Sequence, residues 1–223
     1  MTIPDALPTT RDAWHRLAEH VLSAARHAVT GRIGLIPAPG GFATPAFGPD
    51  ACVLAVDLDE FVVSRNGQQQ RTPIVTIAQV ADFAGITPGA PEQVYRPVTP
   101  LQPDTLLQID RQAARLLADW YQLGWQALAA FAAAVPGDDP TSAQLWPEHF
   151  DLGVTAARVN YGVSPGDMLI PEPYLYVGPH DGPSAADEFW NAPFGAVLRY
   201  HEVSSVETAV DFFHHGRKRA QTA

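Results

Sequence analysis

The stretch Ala51–Val75, ACVLAVDLDEFVVSRNGQQQRTPIV, decides the fold class. Its apolar and β-branched residues come in short runs, and Asn66-Gly67 is the strongest short-range hairpin signal in the chain, because both residues accept the positive φ of a type I′ turn. Strands joined by so short a turn must be antiparallel. Upstream, RIGLIP, a Pro-Gly-Gly turn at 39–41 and FATPAF read as further strands of the same meander. Before them, Thr10 reads as the N-cap of a helix over Arg11–Val29, where Trp14, Leu17, Ala18, Val21, Leu22, Ala25 and Val29 recur at helical spacing and Gly31 closes the end. After the meander, TIAQVADFAGI predicts a short helix from Thr76 that stops at Gly85.

Residues 87–103, TPGAPEQVYRPVTPLQP, hold five prolines and no periodicity, which predicts a stiff extended crossing between two halves. From about Asp104 to Val135 the chain reads as one long helix, apolar nearly all round and therefore buried on most sides, with Gly124 marking a close crossing or a bend. Beyond it come the strands FDLGVTAARV, PYLYVG and GAVLRYHEV and a last helix over Ser205–Lys218. Each half reads helix, antiparallel strands, short helix, an order that suggests duplication about a pseudo-twofold axis. The expectation is an α+β protein with antiparallel sheets and a long buried central helix, divided as an N-terminal half 1–86, the crossing 87–103 and a C-terminal half 104–223, all in one compact unit.

Composition narrows the function classes. A chain of 223 residues with 46% hydrophobic residues has ample material for a core. Only 17% of residues are charged, and the 21 prolines are about twice average usage. Such a surface suits a deep groove or a homodimer face. The net charge of −10 works against a nucleic-acid partner, whose phosphates the whole molecule would repel. The one cysteine, Cys52, sits in an apolar run with no basic neighbour in sequence and reads as a buried inert thiol. The N-terminal MTIPDALPTTRD shows no basic region followed by an apolar stretch, and no uncharged run approaches membrane-spanning length, so a soluble cytoplasmic protein without a membrane partner is expected. Glycines 40 and 41 lie outside any nucleotide-loop pattern, and no Ser occupies a nucleophile elbow.

Leu145–Asn191 gathers acids, aromatics and amides into one region. In LWPEHFD, strand alternation would send His149 and Asp151 to one face and Glu148 and Phe150 to the other, so that His149 and Asp151 could pair as a general base and its orienting acid. Glu172, between two prolines, is a candidate acid whose pKa an apolar setting would raise, and its carboxylate also suits backbone N–H groups that prolines leave without partners. Trp146, Tyr161, Tyr174 and Trp190 are the candidate walls of a site that Asn160 and Asn191 would line with amides. Asp57 and Asp59 read as exposed acids on one strand face. His180 and Asp181, or Glu172, could join His149 and Asp151 around zinc or manganese, but no compact ligand spacing is present, and neither a metal nor a cofactor is expected. His214-His215 with Arg217, Lys218 and Arg219 suit a solvated helix C-terminus.

With LWPEHFD, NYGVSPGD, PEPYLYVGP and FWNAPFG in this order, behind Gly31–Leu35 and Pro39–Phe42, the chain resembles a group of uncharacterised actinobacterial proteins. The resemblance implies a bacterial cytoplasmic protein and brings no assigned activity, hence no catalytic residue to carry over. From the residues themselves the expected function is small-molecule binding in which Glu148, His149, Asp151 and Glu172 would handle protons, with cofactor-independent hydrolysis or proton transfer, His149 or Glu172 acting as general base, as its catalytic form. The competing expectation is a non-catalytic scaffold that forms a homodimer.

Overall fold

The computed structural model describes residues 2–183 and 187–221. Helix α1 (Leu7–Leu17) passes through a π-helical stretch (Ala18–Ser23) into α2 (Ala24–Thr30), and strands β1 (Ile36–Ala38), β2 (Gly41–Ala43), β3 (Val53–Asp57), β4 (Glu60–Arg65) and β5 (Gln68–Pro73) follow. Then come α3 (Ile77–Ala84), α4 (Arg111–Ala134), β6 (Gln144–Trp146), β7 (Asp151–Ala156), β8 (Val159–Ser164), β9 (Tyr174–Pro179), β10 (Ala196–Arg199) and α5 (Val206–Gln221). The strands form two five-stranded antiparallel sheets, each ordered as in the chain, β1 to β5 and β6 to β10. The fold is α+β, and in both halves a meander is preceded and followed by a helix.

The chain divides into two compact units: an N unit of Thr2–Asp119 with Leu145–Phe150, and a C unit of Trp120–Gln144 with the described residues from Asp151 onward. The first division therefore falls inside α4. Residues 87–103, expected as the crossing, belong to the N unit.

In the N unit the helix begins at Leu7, ahead of Thr10, with Pro8 in its first turn, where a missing N–H costs nothing. Thr10 is buried, and its Oγ1 accepts a bond from the Asp110 amide. Asp110 in turn caps α4, its Oδ1 accepting from Gln112 and Ala113 N, and this cap starts the long helix at Arg111 rather than near Asp104. Nor is α4 apolar all round: Arg111, Arg115, Asp119, Gln122 and Gln126 make an exposed stripe at spacings of three and four. The Asn66-Gly67 turn has φ values of 50° and 80°, as its sequence requires, and Thr76 and Gly85 bound α3 as expected. Leu58-Asp59 forms a second tight turn, with Leu58 at φ 55°, so Asp59 does not continue the strand face of Asp57. Trp14 Nε1 donates to the Leu58 carbonyl and the ring packs edge-on against Phe42, which seats α1 on this sheet.

In the C unit, Ala157 and Arg158 form the β7–β8 turn at φ 48° and 64°. Neither is Gly, Asn or Asp, so the sequence reads as one strand across 150–159 with a loop after it, where the structure has a hairpin. Tyr161 and Val163 of β8 face the same way as Val177 of β9, and both helices of the unit close on that face through glycine. A Cβ at Gly124 of α4 would lie 2.6 Å from the Val163 methyls, and one at Gly216 of α5 would lie 2.6 Å from Val177. Gly124 thus marks a close approach of helix to sheet. Gly124→Ala and Gly216→Ala should each destabilise the protein by about 1–3 kcal/mol in chemical denaturation, because the added methyl forces the helix off its valine.

Candidate ligand-binding site

Trp146, Glu148 and His149 fall in the N unit, and the other seven sequence candidates fall in the C unit. Residues 147–150 form turns rather than strand, and Phe150 has φ 53°. That positive φ breaks the alternation expected through LWPEHFD: His149 is exposed in the turn, and strand geometry starts only at Asp151. His149 and Asp151 are thus not paired by a common strand face. Phe150 is buried, stacked 5.1 Å from the His15 ring and edge-on to Phe42.

The buried polar centre of the N unit lies on residues that the sequence reading passed over. Glu19, in the π-helical stretch, is fully buried. Its Oε1 accepts from Val98 N at 2.9 Å, and its Oε2 from Thr99 N at 2.8 Å and Thr99 Oγ1 at 2.5 Å. Val98 and Thr99 are the two residues between Pro97 and Pro100, which have no N–H of their own. His20 Nδ1 accepts from Ala90 N, so its Nε2 must carry the proton that is donated to the Thr99 carbonyl at 2.9 Å. His15 Nε2 donates to the Pro147 carbonyl at 2.8 Å and lies 3.8 Å from Glu19, while burial lowers its pKa and keeps the ring neutral at pH 7. The wide π-helical turn lets consecutive Glu19 and His20 both face inward. In the sequence they fall between Ala18 and Val21, on the side that an ideal α-helix turns away from the apolar stripe, so no local signal marks them as buried. Glu148 is half-buried; one of its carboxylate oxygens is buried without a hydrogen-bond partner among the described residues, and burial, with Glu19 adding repulsion, raises its pKa.

In the C unit, register places Asp151, Asn160, Tyr174 and Tyr176 on one sheet face and Tyr161 on the other. Tyr176 donates to Asp151 at 2.5 Å, and its ring lies over Gly162, where a Cβ would come within 2.1 Å of it. Burial first, and then Asp151, push the Tyr176 phenol well above its ordinary pKa. Tyr174 donates to Asp167, whose other oxygen accepts from Leu169 and Ile170 N, so this acid shapes the turn between β8 and β9. Asn160 bonds Thr155 and His180, and Asp181 pairs with Arg158. Tyr161 is fully buried against Phe131 and Phe213. Glu172 is paired with Arg199 and His201; burial pushes its pKa up, but those bonds outweigh it and hold the carboxyl below its usual value. Trp190 is buried beside Phe189, and the Asn191 side chain bonds the Val197 backbone through both its N and its O.

Asn191 also lines a groove of about 370 Å³ in the C unit. Apolar surface there comes from Val197, Leu198, Phe189 and Phe212, and carboxylates from Glu188, Glu202 and Asp211. Thr208, Asp211, Phe212 and His215 reach it from α5 at spacings of three and four, on a different face from Ala209 and Phe213, which fill the core. That second stripe is legible in TAVDFFHH, at Thr208, Asp211, Phe212 and His215. The groove is framed rigidly: Asp187 Oδ1 accepts from Phe189 and Trp190 N, and His215 stacks 4.5 Å from Phe189. Among the described residues no group of three or more His, Cys, Asp or Glu is placed to hold a metal ion, and no helix is long and apolar enough to cross a membrane.

No protein-family model, curated protein or solved structure matches the chain.

Glu148 supplies a test of the N unit's electrostatics. A carboxyl whose folded pKa is raised supports folding below its unfolded pKa and loses that support as pH rises through the folded value. Glu148→Gln should therefore raise the melting temperature at pH 7, and the gain should vanish below about pH 4, where the wild-type side chain is protonated in both states. A gain independent of pH would show that charge is not its cause.

Proposed function

We propose that the protein binds a small organic cation with a hydrocarbon or aromatic body, in the groove of the C unit. One observation carries the reading: Glu188, Glu202 and Asp211 surround a floor that includes Phe212 and Leu198. Carboxylates beside apolar surface complement an ammonium or guanidinium group on an apolar body, and an overall charge of −10 raises the local concentration of cations. Binding is favoured over turnover because Asp151, Asp167 and Glu172 are each held by a tyrosine or an arginine and have a structural task.

Calorimetric titration with benzylamine, benzyl alcohol and benzoate tests the reading. Benzylamine should bind best, with an affinity that falls as salt rises. The double variant Glu188→Gln/Asp211→Asn should weaken it about tenfold, as two partly exposed charge contacts of about 0.7 kcal/mol each imply. Equal binding of the alcohol and the amine, or an unchanged double variant, would overturn it.

A second reading rests on a different observation: Met168 is 96% exposed and Leu169 81% exposed, at the tip of the turn that Asp167 shapes. An apolar tip on a rigid turn suits self-association as a homodimer. Sedimentation should then give a dimer mass for the wild type and a monomer mass for Met168→Ser/Leu169→Ser; a monomeric wild type removes the reading.

A further inference from the structure

The N unit contains a cavity of about 360 Å³ that no role described above uses. Its helical wall is α2, which presents Ala24, Ala25 and Ala28, so three methyl groups stand where longer side chains would fill the space. Phe47, Leu54 and Ile86 add apolar surface from the sheet and from the end of α3. Cys52 forms another part of the wall; its backbone exchanges both hydrogen bonds with Phe47, and its side chain is buried. Two charged side chains break this surface, and they face each other: Arg65 Nε lies 3.3 Å from Asp50 Oδ2. Arg65 is held further by donating from Nη2 to the Ala84 carbonyl, in the last turn of α3, at 2.8 Å.

We propose that this cavity is a binding site for a neutral carboxamide with an apolar body, its amide N–H directed to Asp50 and its carbonyl to Arg65. The paired side chains decide the class. They place an acceptor beside a donor with no net charge, which matches the adjacent N–H and C=O of a primary amide or lactam. A carboxylate would approach Asp50 and an ammonium would approach Arg65, so either ion meets repulsion that a neutral amide avoids. The site is independent of the groove in the C unit and differs from it in ligand charge.

Cys52 reports occupancy, because it is the one cysteine in the chain and lies in the cavity wall. Burial raises its pKa although Arg65 pulls the other way, so the thiol reacts slowly and its labelling is easily timed. The experiment measures the rate of N-ethylmaleimide addition to the intact protein with benzamide, benzoate or benzylamine present. A fragment of this size binds in the millimolar range, and at about twice its Kd benzamide should slow labelling about threefold. Benzoate and benzylamine should protect less. Ala28→Phe, at an exposed position on the rim, should fold normally by circular dichroism and lose the protection by benzamide. The same comparison is read in parallel as a thermal shift, so a thiol too slow to label still leaves a result. Glu188→Gln/Asp211→Asn should retain full protection, which separates failure of this proposal from failure of the cation site. Absence of both protection and thermal shift with benzamide, equal effects of all three compounds, or unchanged protection in Ala28→Phe would overturn it.

Discussion

A carboxylate taken wholly out of water is tolerated only where hydrogen-bond donors replace its hydration, and the N unit is organised around one such group. Glu19 meets the condition with Val98 N, Thr99 N and the Thr99 hydroxyl. The same bonds solve the opposite problem for the proline-rich segment. Between Pro97 and Pro100 only two backbone N–H groups exist, and an extended chain outside any sheet would bury them without acceptors. His20 adds two more bonds to this segment through its two ring nitrogens. A segment that reads as a linker is thereby tied to the N unit through its backbone, although most of its side chains stay at the surface, and the π-helical turn is what brings Glu19 and His20 to it.

The C unit relies on close approach of helix and ring to sheet, and its buried carboxylate, Asp151, is met by the Tyr176 hydroxyl. Gly124 and Gly216 let two helices sit directly on the valines of one sheet face, while Gly162 lets the Tyr176 ring lie flat across the other. In the loops, Asp167 shapes one turn and Asp187 another. The groove inherits its rigidity from this arrangement. Its walls are a helix face and an Asx-type turn, and the Asn191 side chain is already bound to Val197, so ordering the site costs little when a ligand enters.

Much of the fold was legible in the chain because its signals are local. Asn66-Gly67 forces a tight hairpin, Thr76 starts a helix and Gly31 and Gly85 stop helices through bonds made within a few residues. The errors arose where a local rule was overridden. Ala157 and Arg158 adopt positive φ without Gly or Asn, held by pairing of the flanking strands, and Phe150 does so where the chain passes from one unit to the next. Among the candidate site residues, the partners were not legible in the sequence. Asp151 bonds Tyr176 rather than His149, and Glu172 pairs with Arg199 and His201, while the role foreseen for Glu172, accepting N–H groups between prolines, is filled by Glu19 from a helix about eighty residues earlier in the chain.

What the sequence by itself determined is the alternation of helix and strand, the antiparallel order of each meander and the places where helices end, since these follow from backbone sterics and the periods 2 and 3.6. Tertiary structure alone decided which ionisable groups are buried, which are paired and which face open space. Those outcomes depend on contacts between residues far apart in sequence, such as Glu19 with Thr99 or Arg65 with Asp50, and no local period encodes them.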